Sequence, residues 1–165
     1  MRINNIHYRD YTLSTQTLAT LLDSLSSPDD LLWPYEKWLP MVLDQGLQQK
    51  SKGGHGPIGY CVEEYQYGSH VIFSFSAPKE FVGIHRFDLI SIEEGLTRLQ
   101  HTISMEVNLK GLLSWFLVVK WLHDALLEDC LDKVYNQHHN DNVCRTPHTL
   151  WVKILRRLLG RKKQV

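Results

Sequence analysis

Near residue 109 the apolar residues of this chain stop recurring at every second position and begin recurring every 3.6, a change of period that leaves few folds open. Before it, four stretches alternate as strands do: Ile58 to Tyr67, His70 to Ser76, Phe81 to Ile92 and Thr97 to Leu109. Only Tyr67-Gly68-Ser69, Ala77-Pro78-Lys79 and Glu93-Glu94-Gly95 separate them. Links this short join antiparallel neighbours, so the region predicts a meander. After it, Leu112, Phe116, Val119, His123, Leu126, Leu127, Cys130, Leu131 and Val134 share one face of a helix reaching about Tyr135. A helix that long fits along the concave side of a curved antiparallel sheet.

The segment before the meander is shorter and more broken. Residues 3 to 13 alternate as a first strand, with Ile6, Tyr8 and Asp10 on one face and His7, Arg9 and Tyr11 on the other. Ser14 or Thr15 then caps a helix carrying Leu18, Leu21, Leu22 and Leu25. Ser26-Ser27-Pro28-Asp29-Asp30 breaks it and offers a fresh N-cap for a second short helix, Asp29 to Leu32, ending at Trp33-Pro34. Residues 41 to 52 read as a weak strand, and Lys52-Gly53-Gly54-His55-Gly56-Pro57 as a glycine-rich turn. The expected class is α+β: a strand, two short helices, a run of strands and a long C-terminal helix.

Charge divides the chain in two. Residues 1–137 carry 11 basic and 17 acidic side chains, net −6, while residues 138–165 carry 7 basic and 1 acidic, net +6, so a formal charge of zero is a cancellation. An acidic body is unsuited to phosphate contacts, which argues against nucleic acid as a partner. Cys61, Cys130 and Cys144 form no CxxC pair and are odd in number, which argues against a disulfide scaffold or a thiolate zinc site and for a cytoplasmic setting. The N-terminus lacks the apolar run of a signal peptide, and the cluster Leu112 to Leu122, interrupted by Ser114 and Lys120, is too short for a bilayer span.

Several strings, in this order of elements, resemble the helix-grip superfamily known as SRPBCC or START-like, polyketide cyclases among its members. They are Gly54-His55-Gly56-Pro57-Ile58, Val62-Glu63-Glu64-Tyr65, Gly83-Ile84-His85-Arg86-Phe87, Thr97-Arg98-Leu99-Gln100-His101-Thr102 and Leu122-His123-Asp124-Ala125-Leu126-Leu127-Glu128-Asp129. The resemblance covers roughly residues 1 to 137, a helix-grip domain. It implies a curved antiparallel sheet wrapped around the long helix, with an apolar cavity opening between them. Residues 138–165, a basic linker and short amphipathic helix, lie outside it.

Alternation says which side chains reach such a cavity. In the last strand Leu99, His101, Ile103, Met105 and Val107 share the face opposite Arg98, Gln100, Thr102, Ser104 and Glu106, so His101 stands in an apolar row. One strand earlier His85, Phe87 and Leu89 share a face, with Arg86 and Asp88 opposite. His123 lies four residues from both Val119 and Leu127 on the helix, and His55 is placed at the cavity mouth. Tyr60 is in phase with Ile58 and Val62, whereas Tyr65 is not. Val71, Phe73 and Phe75 on one strand, with Trp115, Phe116 and Val119 on the helix, are core residues that would also line a ligand. For each histidine two readings stand: a core side chain bonded to a neighbour, or a polar contact that holds a ligand or moves its protons. Metal binding is the weakest, since no His-x-x-x-His occurs and no carboxylate shares the inward face of the last strand; no metal and no cofactor is expected. His123 and Asp124, adjacent on a helix, project about 100° apart and are not expected to form a dyad. Glu63-Glu64, Glu93-Glu94 and Glu128-Asp129 read as solvated surface.

No nucleophile elbow, phosphate-binding glycine loop or HExxH occurs, so activity is neither indicated nor excluded. In the tail, Leu150, Trp151, Ile154, Leu155, Leu158 and Leu159 make an apolar stripe, with Lys153, Arg156 and Arg157 opposite and Arg161-Lys162-Lys163 beyond Gly160. Three fates compete: packing on the acidic body or a second subunit, docking on an anionic membrane through Trp151, Arg156 and Arg157, or another partner. The leading expectation is a small hydrophobic or aromatic ligand, lipid- or polyketide-like, with His85 and His101 as polar anchors. The alternatives are a cyclase- or dehydratase-like enzyme using the same histidines as acid and base, and a membrane-peripheral interaction module.

Overall fold

A computed structural model describes residues 1–139 and 143–160; Arg161-Lys162-Lys163 lie outside the described residues. The chain runs β1 (Arg2–Tyr11), α1 (Thr15–Asp23), β2 (Val42–Leu43), β3 (Lys52–His55), β4 (Ile58–Gln66), β5 (His70–Ala77), β6 (Phe81–Glu93) and β7 (Leu96–Val107). Then α2 (Leu109–Ser114), a π-helical turn (Trp115–Val119) and α3 (Lys120–His138) follow end to end as one long helix, and α4 (Leu150–Gly160) comes last. The strands form one curved antiparallel sheet of seven in the order β1-β7-β6-β5-β4-β3-β2. The four strands of the meander and the long helix stand where the period predicts them.

Three local expectations are corrected. Only one short helix follows β1 among the described residues. In place of the second, Asp30 accepts backbone N–H bonds from Ser26, Leu32 and Trp33, but Pro34 disfavours helical backbone at Trp33, so the capped turn is not continued as a helix. The weak strand in 41–52 shrinks to β2, while Lys52 to His55, expected as turn, forms β3, tightly paired because Gly53 carries no Cβ: one would stand 1.8 Å from the Val42 carbonyl oxygen.

β6 and β7 approach closely where a side chain is missing. Gly83 in β6 has φ +153°, and a Cβ there would lie 2.4 Å from the Ser104 carbonyl oxygen on β7, so only glycine permits the approach. β1 closes the far edge beside β7 in register from Arg2↔Glu106 to Tyr11↔Thr97.

The face of β1 toward the long helix is polar. Asn5 donates to Asp124, His7 bonds Asp124 and Glu128, and Arg9 donates to Glu128 and Asp132. Two strand residues advance about 6.8 Å and four helix residues about 6 Å, so alternate positions of β1 meet every fourth position of α3 almost rung for rung. Ile6 and Tyr8 point to solvent. Glu128-Asp129 is therefore not solvated surface: Glu128 faces β1 and Asp129 is buried.

The tail is stitched to the same helix. Asn136 exchanges two hydrogen bonds with the Cys144 backbone, Asp132 accepts from Thr146 N at 2.6 Å, and Asp129 bonds His148 at 2.8 Å. Val152 and Leu155 of α4 are buried. Of the three fates, residues 143–160 show packing on the body. No helix among the described residues is long and apolar enough to cross a membrane.

Candidate functional site

Two apolar clusters fill the interior. One gathers α1, the middle strands and the C-terminal part of α3 around Leu22, Phe73 and Leu131; the other gathers Phe81, Ile103, Met105 and Trp115 at the opposite end. Between them lies a cavity of about 660 Å³, lined by members of both, with the loop 33–41 and α4 at its rim. Exposed lining residues, Tyr35, Leu39 and Leu159 among them, mark the mouth.

Of the residues expected at a ligand, Tyr60, Phe75, His85, Phe87, His101, Val119 and His123 line this cavity. Phe73 and Met105 are buried in the core beside it, Phe73 stacked on the His85 ring at 4.7 Å. Phe116 is 54% exposed and lies outside it. The π-helical turn explains this correction: its extra residue per turn delays the inward face, so Trp115 points in where regular helix would have placed Phe116. Arg156 lines the cavity; Trp151, part exposed, donates its indole N–H to the Leu117 carbonyl, and Arg157 is exposed. Sequence reasoning missed Trp33, Lys37, Trp38 and Met41, all lining residues, in a segment without periodicity. The one available signal was two tryptophans, Trp33 and Trp38, each within two residues of a proline, Pro34 or Pro40.

Behind the rim, the polar side chains of the cavity are four histidines and Tyr60. The Tyr60 hydroxyl lies 2.6 Å from His55 Nδ1, the Tyr60 ring lies 4.2 Å from that of His85, and His85 Nδ1 lies 3.3 Å from His101 Nε2. The His101 ring stands 5.0 Å from His123, which stands 5.9 Å from His7. Five imidazoles thus run from the cavity to the acid-lined seam with β1. Burial holds His85 and His101 well below the usual histidine range and, with repulsion from His123, brings His55 down to about 4. His123 is lowered by burial too, against the pull of Asp124. His7 goes the other way: burial would lower it, but hydrogen bonds to Asp124 and Glu128 outweigh that and lift it to about 9.

The buried atoms His85 Nε2, His101 Nδ1 and His123 Nδ1 have no hydrogen-bond partner. Because the two facing nitrogens of His85 and His101 share one proton, one of their outer nitrogens is an N–H and the other a lone pair in either tautomer. The cavity wall therefore carries a donor and an acceptor unmatched, each costing about 1–3 kcal/mol while unmet. His123 Nδ1 lies 3.8 Å from Asp124 Oδ1, too far for a hydrogen bond, so the expectation of no bonded dyad stands. His7, His123 and Asp124 are the described residues that could hold a metal ion, with ligand atoms within 4.8 Å of one another. Asp124, however, already serves Asn5, His7 and Lys120.

No family model matches the sequence, and neither does any curated protein. Solved structures do match in shape. Norcoclaurine synthase from Thalictrum flavum, in complex with dopamine and hydroxybenzaldehyde, is 8% identical over 86% of this chain and 90% of its own, with a TM-score of 0.63. A protein from Thermobifida fusca is 7% identical over 86% of this chain and 99% of its own (TM-score 0.63), and CalU16 from Micromonospora echinospora 12% identical over 96% and 83% (TM-score 0.55). The chain has the helix-grip fold, as the resemblance implied. Identities this low speak for the fold alone.

Proposed function

We propose that the protein binds a small hydrophobic or aromatic molecule between the long helix and the sheet. The observation carrying this is the cavity itself: about 660 Å³, within the range of small-molecule sites, lined chiefly by apolar and aromatic side chains with a few convergent polar groups. The unpartnered nitrogens of His85, His101 and His123 add to it, since a ligand with a carbonyl or hydroxyl can meet what the protein leaves unmet. Norcoclaurine synthase holds dopamine and hydroxybenzaldehyde on the same fold, which agrees in size and aromatic character.

Titration with the neutral fluorophore N-phenyl-1-naphthylamine tests the reading. Saturable one-to-one binding is expected, and Val119→Trp, which fills the cavity from the helix side, should weaken it at least about tenfold. Absence of saturable binding by the unaltered protein would overturn the proposal.

A further inference from the structure

We infer that the molecule this cavity takes is an amphiphile, an apolar body with an anionic end, and that Arg156 holds the anionic end at the mouth; this rests on the reading of the cavity as a ligand site. The charged residues lining the cavity are Glu36, Lys37 and Arg156, all at the rim. Two of them are occupied. Glu36 pairs with Lys133 at 3.0 Å, and Lys37 pairs with buried Asp129 at 2.5 Å.

Arg156 is different. Its guanidinium lies over the Trp38 ring at 4.4 Å and donates to the Lys37 carbonyl oxygen and to His148 Nδ1, both neutral acceptors. Because His148 accepts through Nδ1, its ring hydrogen sits on Nε2 and points to Asp129 at 2.8 Å, and the imidazole stands between the guanidinium and that carboxylate. No carboxylate pairs with Arg156 among the described residues, although the side chain is only part exposed and part of its hydration is lost. A carboxylate arriving from the cavity would meet a planar cation already held in place, the geometry that makes arginine selective for such groups.

The same helix supplies the apolar side. Leu159, three residues on, lines the cavity beside Arg156, and behind them the interior is apolar apart from Tyr60 and neutral histidines. A neutral ligand would leave the guanidinium without a counter-ion, and a highly charged one would find no second free cation among the described lining residues. One anionic group on an apolar body satisfies both ends. The basic helix, which the helix-grip resemblance does not cover, thereby completes the site.

Calorimetric titration with 2-naphthylacetate and its neutral isostere 2-naphthylacetamide tests this, reading the ratio of affinities within each protein so that a general loss at the mouth cancels. The unaltered protein should prefer the acid about tenfold. Arg156→Gln should bring the ratio to about one, and 1 M salt should narrow it. Equal affinities in the unaltered protein, or a ratio untouched by Arg156→Gln, would overturn the inference while leaving the cavity reading intact. Failure of both probes to bind would overturn both.

Discussion

At the scale of the residue, the histidines decide how the protein answers to pH. His55, His85, His101 and His123 are held neutral in the fold, whereas in the unfolded chain each takes up a proton below about 6.5. Their contribution is therefore present above that pH and lost as pH falls toward 4, at about 1.4 kcal/mol per pH unit for each proton taken up on unfolding. His7 has the opposite sign. Its folded pKa of about 9 lies above the unfolded value, so its contribution is full below about 6.5 and fades as pH rises through 9. Urea unfolding across pH 4 to 10 should give a stability maximum near neutrality, and His7→Gln should remove most of the alkaline loss while leaving the acid loss. A stability flat between pH 6.5 and 4 would contradict the neutral assignment. Sequence placed His85 and His101 inward by alternation. It had no way to pair His7 with Glu128, because 121 residues separate them and only the closing of β1 beside β7 brings them together.

At the scale of the element, two devices shape the cavity. The π-helical turn at Trp115–Val119 sets which helix residues face it, and Gly83 in β6 sets how closely β6 and β7 approach. Gly83→Ala should destabilise the fold by about 2–4 kcal/mol, since the added methyl meets the β7 backbone and the positive φ suits no side chain. Chemical denaturation against Gly95→Ala is the fair comparison: Gly95 also has positive φ but has nothing within 4 Å of its Cβ position, so a smaller loss is expected there. Equal losses would mean that the close approach carries no cost of its own. The strands were legible because one wet and one buried face write a period of two into the sequence. The π turn was not, since an inserted residue leaves the apolar content of Trp115-Phe116-Leu117-Val118-Val119 unchanged and only rotates it.

At the scale of the whole molecule, the acidic body and basic tail meet on α3, with Asp129 at the junction. Its side chain, 1% exposed, takes Lys37 and the Trp38 indole N–H from the rim loop and His148 from the strap before α4. Asp129→Ala should cost about 1–3 kcal/mol. It should also speed hydrogen exchange in residues 33–41 and 150–159 together, with β6 and β7 unchanged; loosening of one segment alone would show that the two are held separately. The sequence by itself determined the class of fold, the meander, the long helix and the inward rows that bring His85 and His101 to the cavity, because alternation and helical period are local and write themselves into neighbouring residues. Tertiary structure alone decided that the tail packs on the body, that β1 turns its polar face inward, and that Arg156 and the loop 33–41 frame one opening. Such pairings join residues about a hundred positions apart, and no local pattern records them.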